Sequence, residues 1–279
     1  MNRKGFTLIE LLVVIAIVGI LSSVIYTNIT GLRDRAKVTA GIRFDSSTLH
    51  SIGDQLVGEW LFNEGANSAI DTSGAGNNAV TATWPIWLQT GGYNNKGAYS
   101  FNGSGYLDLP STTNLNFERT NPFAISAWIK MTSSVGSIVS KMNNSTPYTG
   151  YDVSMTDDGK IMFFIINTVT TNEILVASIR TVNDDKWHHV AAIYDGSSSA
   201  SGAKIYIDGS LSPVTTTYDL LTGSIVNAYH LHIGARTGGN NFIGSIDDVR
   251  IYSSALSGSD IQKLYADGIS SHEVAAITK

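Results

Sequence analysis

Hydrophobic positions divide the chain into two parts that have different periods. From Phe6 to Ile25 the only charged residue is Glu10, and a run of about 20 apolar residues is long enough to cross a bilayer as a helix. Apolar residues then recur at helical spacings between residues 29 and 40, with charges on the other side. This pattern predicts one long N-terminal helix over residues 6–55, of which residues 6–25 form the membrane part.

From Val57 onward, short apolar runs alternate with clusters of Gly, Ser, Thr, Asn and Asp, which are typical of tight turns. No amphipathic helical pattern separates the runs, so they predict an antiparallel β-sandwich rather than a parallel α/β sheet. We expect Trp128, Trp187 and Tyr206 to pack between its two sheets. The predicted strands are VGEWLF, AYSFN, YLDLP, FAISAWIK, GSIVSK, YDVSM, KIMFFII, EILVASI, WHHVAAIY, AKIYID, YHLHIG and FIGSIDDVRIY.

The end of the chain predicts one short helix. Ser257 and Asp260 have the spacing of a helix start, apolar residues follow on one side, and Gly268 is the expected stop. Residues 269–279 show no pattern, and we expect a loose tail. The predicted fold class is therefore α+β overall, with a long N-terminal membrane and assembly helix, an all-β antiparallel sandwich and a short C-terminal helix.

The composition excludes some classes of function and of stabilising site. The chain has a net charge of −5, a pI of about 5.6 and no long run of Lys or Arg, so it has no field that attracts nucleic acid. It contains no cysteine, which excludes disulfides and thiolate metal sites. Stability outside the cytoplasm must then come from the core or from a hard ion such as calcium.

Glu10 is an unusual residue for a membrane segment. A carboxylate in hydrocarbon costs about 2.5–3.5 kcal/mol on insertion scales, so it persists mainly where it has a partner. A secretory signal peptide is the alternative interpretation, since Arg3 and Lys4 form a basic flank. The apolar run lacks an Ala-x-Ala cleavage site, however, and a signal peptide gains nothing from Glu10.

The segment Lys4-Gly5-Phe6-Thr7-Leu8-Ile9-Glu10 resembles the cleavage and N-methylation signature of bacterial type IV prepilins and pseudopilins. The resemblance implies a leader peptide of residues 1–5, cleavage between Gly5 and Phe6 by a prepilin peptidase, and methylation of Phe6. It also implies that Glu10 neutralises the α-amino group of an adjacent copy. Pairing the two charges offsets the cost that each has in lipid.

The same resemblance implies partners and a location. The partners are copies of the chain, packed through the N-terminal helix, and the inner-membrane assembly machinery. The chain is expected in the inner membrane before assembly and then in an extracellular pilus or a periplasmic pseudopilus, with its second part outside the cytoplasm. Many pilins carry a proline shortly after the apolar run, whereas Thr27 here cannot force the same kink.

A second resemblance covers residues 57–268. In this order, the blocks GEWLFNEG, IDTSGAGNNA, AYSFNGSGYLDLP, FAISAWIK, KWHHVAAIYDG, KIYIDG and IGSIDDVRIYSSALS resemble the laminin-G-like, concanavalin A-like jellyroll family. The resemblance implies a jellyroll head whose first and last strands lie side by side. It also implies that the head binds a glycan or a surface protein.

Oxygen-rich positions make calcium the candidate cofactor. The loop IDTSGAGNNA offers Asp71, Asn77 and carbonyl groups held by glycines, all of which are hard donors. If the first and last strands are neighbours, as the resemblance implies, Asp247 or Asp248 comes near this loop. The alternative interpretation is a plain turn at Asp71 and a polar strand end at Asp247.

Aromatic residues in polar stretches are candidates for stacking on a sugar. They are Trp84, Trp87, Tyr93 and Tyr148. The alternative is that they anchor loops into the edge of the sandwich, and for Trp84 and Trp87 we favour the anchor because most large aromatic residues are buried.

Catalysis is not expected. Glycosidases need two carboxylates about 5–9.5 Å apart, and the chain has no Glu-x-Asp-x-Glu pattern on any predicted strand. His188 and His189 point to opposite faces of a strand, so they cannot readily share an ion, and we expect both in the framework. His230 and His232 share a face, but the sequence shows no third ligand, and we favour surface pairing over a metal site.

These patterns together predict a type IV pilin-like filament subunit that displays a jellyroll head for adhesion, or for binding a glycan or protein, at the cell surface. Two alternatives keep the same N-terminal helix. One is a pseudopilin of a type II secretion system, and the other is a membrane-anchored lectin that does not assemble.

Overall fold

The computed structural model describes residues 53–81, 83–110, 113–131 and 135–277. The predicted leader peptide, the membrane segment and the predicted helix up to residue 52 lie outside the described residues, so they stay predictions. Within the described ranges, no helix is both long and apolar enough to cross a membrane.

The described part consists mainly of β-strands, followed by one α-helix near the C terminus. The strands are β1 (Leu56–Trp60), β2 (Ile86–Leu88), β3 (Ala98–Asn102), β4 (Leu107–Leu109), β5 (Phe123–Lys130), β6 (Gly136–Lys141), β7 (Gly150–Met155), β8 (Lys160–Thr168), β9 (Asn172–Thr181), β10 (Trp187–Tyr194), β11 (Ala203–Ile207), β12 (Ser210–Ser212), β13 (Val214–Asp219), β14 (Leu231–Ile233) and β15 (Ile243–Tyr252). The helix is α1 (Gly258–Ile277), and short 3-10 turns span Thr113–Leu115 and Ala200–Gly202.

The strands form two antiparallel sheets that enclose a common core. The first sheet has eight strands in the order β12-β11-β10-β5-β15-β3-β2, and β1 also pairs with β15. The second sheet has seven strands in the order β13-β9-β8-β7-β6-β14-β4. This arrangement confirms the predicted antiparallel sandwich, and the pairing of β1 with β15 confirms that the first and last strands are neighbours.

Alternation along each strand decides which side chains enter the core. On β8, Ile161, Phe163 and Ile165 are fully buried, and on β9 the residues opposite them include Ile174 and Val176. These side chains belong to one cluster with the inward-facing residues of the first sheet. Burial of apolar surface at about 25 cal/mol per Å² is therefore the main force that holds the two sheets together.

Three observed strands, β2, β12 and β13, are absent from the predicted set. Strand β2 lies within the stretch that we interpret as an aromatic loop, and β12 and β13 are edge strands with mostly exposed or half-exposed side chains. Edge strands that bury little lack the apolar alternation on which strand prediction depends.

Trp128, Trp187 and Tyr206 do not lie between the sheets, so this expectation is wrong. Trp128 follows Ala127, which belongs to the main core, and neighbouring side chains on a strand point to opposite faces. The Trp128 ring instead stacks on Tyr265 of α1, with the ring centroids 5.7 Å apart. Tyr206 packs in a second cluster with Ile261 of the same helix, which covers part of the outer face of the first sheet.

The start of α1 is the predicted one, but its end is not. Ser257 Oγ accepts the Asp260 N–H at 3.2 Å, and Asp260 Oδ2 accepts the Ser257 N–H at 2.9 Å, which forms a reciprocal cap. Gly268 lies inside the helix, which continues to Ile277, so the predicted stop and loose tail are wrong. Because Gly268 has no side chain, α1 can pack closely against Trp128: a Cβ on Gly268 would lie 2.6 Å from Trp128 Cζ2.

Gly268→Ala is expected to destabilise the protein, although alanine is the better helix former. The added Cβ must displace the Trp128 indole, and overpacking of this kind costs about 1–3 kcal/mol. Gly53→Ala is the matched control, because a Cβ at that position meets nothing within 4 Å. Thermal unfolding of the two variants measures the difference, and equal stability would contradict the packing argument.

Candidate functional site

The turn that follows β1 uses Asp71 as an acceptor for its own backbone. Asp71 Oδ1 accepts the N–H groups of Glu59 at 3.0 Å and Ser73 at 2.9 Å, and Oδ2 accepts that of Asn77 at 2.8 Å. The Asn77 side-chain amide donates to Val57 O at 2.7 Å. Burial alone raises the pKa of Asp71, but these hydrogen bonds outweigh it and hold the pKa below its usual value. The Asp71 carboxylate is therefore already used by the backbone of its own turn.

Strand β15 carries a second acidic group at a bulge. Asp248, with a positive φ of 47°, accepts the Tyr93 hydroxyl at 2.9 Å and pairs with Arg250 at 3.0 Å. Arg250 also contacts Glu59 on β1 at 2.8 Å. Asp247 is fully buried beside this network, and burial together with the charge of Asp248 raises its pKa well above the usual value.

The four predicted calcium ligands do not form one site. The Glu59 N–H donates to Asp71 and the Glu59 carbonyl accepts the Thr72 N–H at 2.9 Å, so the turn lies on the edge of β1 that faces away from β15. Asp247 and Asp248 lie on β15, beyond the opposite edge of β1. Across the described ranges, no group of three or more His, Cys, Asp or Glu side chains suits a metal ion. The turn and the β15 acids therefore do not fit a shared calcium site.

Trp84 and Trp87 behave as loop anchors, the interpretation that we favour from the sequence. Both are half-buried and pack against the main core. Trp84 stacks on Tyr99 with the ring centroids 6.0 Å apart, and Trp87 Nε1 donates to Phe62 O at 2.9 Å. These rings are already engaged with the protein, which makes them weak candidates for sugar stacking.

Tyr93 is not available for sugar stacking, contrary to our expectation. It is 5% exposed, and its ring stacks on Trp128 with the centroids 4.1 Å apart. Its hydroxyl donates to Asp248, and burial followed by the Asp248 charge raises the pKa of Tyr93. Tyr93 therefore helps to close the outer face of the first sheet.

Tyr148 is half-exposed and lies beside a charged group on the second sheet. Burial alone lowers the pKa of the Arg236 guanidinium, but the charge of Asp152 outweighs it. The turn that carries Tyr148 runs beside this segment, since the Asn144 N–H donates to Thr237 O at 2.8 Å. Arg236 Nη2 lies 2.8 Å from Asp152 Oδ2, and the guanidinium lies 5.2 Å from the centroid of the half-buried Phe164 ring. Of the four aromatic candidates, Tyr148 is thus the one that we keep for sugar stacking.

Strand register builds a polar row on the outer face of the second sheet, which the sequence analysis missed. Asp108 lies opposite His232, His232 opposite Ser140, and Ser140 opposite Asp152, and these four residues are called the polar row below. Phe164 lies next in the same row. These residues come from separate segments of the chain. Within each strand, the alternation of polar and core positions shows which residues face outward, but the sequence does not show which strands lie side by side.

Several buried side-chain atoms on and near the polar row have no hydrogen-bond partner. An unpaired buried polar group costs about 1–3 kcal/mol, so such a concentration marks a place where water or a ligand is needed. The atoms are Ser140 Oγ, Asn143 Oδ1, Asp152 Oδ1, Ser154 Oγ, His232 Nδ1, Arg236 Nε and Thr237 Oγ1. The set includes donors and acceptors, which suits hydroxyl-rich partners because each hydroxyl group both donates and accepts.

The carboxylates of the polar row do not have the spacing of a glycosidase. Asp108 on β4 and Asp152 on β7 are three strands apart, which is about 14 Å at about 4.8 Å per strand. Glycosidases hold their carboxyl pair about 5–9.5 Å apart. This pair therefore suits recognition better than hydrolysis.

The histidines follow the predicted faces. His230 Nδ1 and His232 Nε2 lie 2.7 Å and 3.3 Å from the same Asp108 oxygen, so exposed His230 and buried His232 share one carboxylate. His188 contacts two carboxylates at 2.9 Å, whereas His189 is buried on the other face and burial lowers its pKa to about 3. His189 is therefore a neutral framework residue at physiological pH.

The sequence of the sandwich matches a known family. The profile described as the concanavalin A-like lectin/glucanases superfamily matches residues 101–262. The chain belongs to this superfamily. A second profile, the prokaryotic N-terminal methylation motif, matches residues 1–26, which include the Gly5–Phe6 junction and Glu10.

Sequence similarity to the superfamily domain extends to a very large protein. Adhesion G-protein coupled receptor V1 of Danio rerio is 35% identical to this chain over 151 residues. The match covers 51% of this chain and 2% of the receptor, so the chain spans a small fraction of that relative.

Solved structures that resemble this superfamily domain include binding domains of clostridial toxins. The binding domain of Paraclostridial Mosquitocidal Protein 1 has a TM-score of 0.61 at 18% identity, over 77% of this chain and 52% of that one. The ligand binding domain of botulinum neurotoxin serotype D, in complex with N-acetylneuraminic acid, has a TM-score of 0.58 at 20% identity, over 78% and 52%. The chain spans about half of these structures, and at this identity they show the fold alone.

Proposed function

We propose that the chain is a type IV pilin-like filament subunit that displays a glycan-binding or protein-binding head at the cell surface. The observation that carries this proposal is the presence, in one chain, of the N-terminal methylation motif and the superfamily domain. The motif is the signal for processing and assembly, and the domain that follows it is then carried on the assembled structure. The head acts by binding and not by catalysis.

Assembly rests on a charge pair in the apolar N-terminal segment. Cleavage after Gly5 frees an ammonium group on Phe6, at the start of an apolar run in which Glu10 is the only charge. Each charge alone is costly in hydrocarbon, and a contact between the Glu10 carboxylate of one copy and the Phe6 amino group of the next removes both costs. The pair also sets the axial register between copies.

The outer face of the second sheet is the proposed binding surface of the head. Tyr148 and Phe164 supply half-exposed aromatic rings, and Arg236 lies beside Phe164, whereas Ser140, His232 and Asp152 of the polar row are themselves buried. Similar folds occur in a toxin domain solved with N-acetylneuraminic acid and in botulinum neurotoxin type C, whose entry depends on two ganglioside molecules. Those ligands belong to the toxins, and they support a glycan as the class of ligand to test here.

A pseudopilin of a type II secretion system is the second candidate, because the N-terminal methylation motif is common to both kinds of subunit. A membrane-anchored lectin that does not assemble is the third. Neither candidate changes the proposed role of the head.

Glu10→Ala is expected to leave membrane insertion intact and to stop incorporation into filaments. Removal of the carboxylate makes the segment more apolar and leaves the neighbouring ammonium unpaired. Immunoblots of the membrane fraction and of sheared filaments measure the two effects separately. Thr7→Ala, a neighbouring change that keeps the carboxylate, is the control, and normal filaments from Glu10→Ala would contradict the charge pair.

Tyr148→Ala is expected to weaken glycan binding about tenfold, which corresponds to about 1.4 kcal/mol. A glycan array probed with the purified chain identifies the ligand, and titration of that ligand then compares the variants. Tyr218→Ala removes another half-exposed tyrosine, on the edge strand β13, and is the control. Equal affinity of the two variants would reject this surface, and an array without binding would reject a glycan as the ligand.

A further inference from the structure

The outer face of the first sheet carries an open groove, outside the part that is covered by α1 and by the 91–97 loop, which joins β2 to β3. Its floor is one row across three strands, in which Ser245 lies opposite Ser100 on one side and Lys130 on the other. Tyr99, next to Ser100, belongs to the main core, so this row faces outward. The volume of about 400 Å³ lies within the range of small-molecule sites.

The walls of the groove are apolar. They include Leu88, Met131 and Ile243, and the Ile243 side chain is 51% exposed. A ligand that covers such a side chain removes apolar surface from water, which favours binding. Ser100 and Ser245 are half-exposed, so their hydroxyl groups are open to a ligand from the floor. The groove therefore suits a ligand that has an apolar body and a polar end.

Two opposite charges line the same groove. Lys130 Nζ lies 3.8 Å from Asp185 Oδ1, and both side chains are partly exposed. A charge-assisted hydrogen bond is shorter, at about 2.7–2.9 Å, so the ammonium and the carboxylate do not satisfy each other. The pair is therefore open to a ligand that offers each group a closer partner.

The turn between β9 and β10 sets the position of Asp185. Its backbone is left-handed, with a φ of 60°, which is uncommon for a residue other than glycine and persists where surrounding contacts hold it. The Asp185 N–H donates to Met131 O at 3.0 Å. The preceding residue, Asp184, lies 2.9 Å from His188 Nε2 and 3.0 Å from Lys186 Nζ. The turn thus presents the Asp185 carboxylate to the groove independently of the loose ion pair.

We propose that this groove binds a free amino acid with an aliphatic side chain. The carboxylate of the ligand contacts Lys130 and the hydroxyl groups of the floor, and its ammonium group contacts Asp185. Its side chain packs against Leu88 and Ile243. Both charges of an amino acid are attached to one carbon atom, so they match two protein charges that lie 3.8 Å apart. The site is on the other sheet from the proposed glycan surface and does not depend on it.

The first test compares ligands on the full wild-type chain purified in detergent. The probes are leucine, 4-methylpentanoate, which lacks the ammonium group, and 3-methylbutylamine, which lacks the carboxylate. Calorimetric titration measures affinity, and titration into detergent alone corrects for binding to micelles. We expect leucine to bind and each single-charge probe to bind about tenfold more weakly, because each loses a hydrogen bond between charged groups.

The second test changes the two protein charges. Lys130→Met and Asp185→Asn are each expected to weaken leucine binding about tenfold. Lys204→Met and Asp157→Asn are the matched controls, because both side chains are exposed and lie outside the groove. Asp185→Asn is expected to leave the affinity for 4-methylpentanoate no weaker, since that probe has no group for the carboxylate to bind.

Three results would overturn the proposal. A wild-type chain that does not bind leucine at millimolar concentrations has no such site. If 4-methylpentanoate binds as tightly as leucine, the groove takes a carboxylate alone. If Lys130→Met and Lys204→Met lose the same affinity, leucine binds elsewhere. The comparison of probes uses the wild-type chain, so it decides even where a variant does not fold.

Discussion

The pairing of β15 with three strands is the constraint on which the head depends. Strand β5 lies on one edge of β15, and β3 followed by β1 lies on the other. The first and last strands of the sandwich must therefore meet, which closes a loop of nearly the whole domain. Buried Asp248 and half-buried Arg250 and Glu59 form an ion-pair network that stabilises the register where the two strands meet.

The outer faces of the two sheets have different surroundings. On the first sheet, Trp128 lies between Tyr93 of the 91–97 loop and Tyr265 of α1, so aromatic rings and a helix cover much of this face. On the second sheet, no helix of the described residues packs on the outer face, but Ser140, His232 and Asp152 of the polar row are buried, and half-exposed Phe164 follows them in register. The two outer faces are thus covered differently: aromatic rings and α1 pack on the first sheet, and α1 does not pack on the second.

Sequence patterns predict most of the fold because most strands bury one face completely. FAISAWIK, GSIVSK and WHHVAAIY coincide with β5, β6 and β10, since their apolar and small residues leave no other assignment. The Ser- and Thr-rich strands β12 and β13 escape prediction because they lie at sheet edges. Gly268 is a further limit, since a glycine that ends a helix and one that packs against an indole look alike in sequence.

The candidate functional residues can likewise be predicted only in part. Acidic and aromatic residues can be recognised in the sequence, but their partners depend on register. Asp71 and Asp247 look like ligands of one ion until the pairing of β1 places them on opposite sides of that strand. The polar row is built from four strands, so it becomes visible only when β4, β14, β6 and β7 are aligned.

The central claim is that a processed N-terminal segment carries this superfamily head into a filament. Mass spectrometry of filaments sheared from cells tests it most directly, through the N-terminal peptide of the chain. The account predicts an abundant peptide that begins at N-methylated Phe6. A chain that keeps Met1, or that is absent from filaments and present only in membranes, would contradict it.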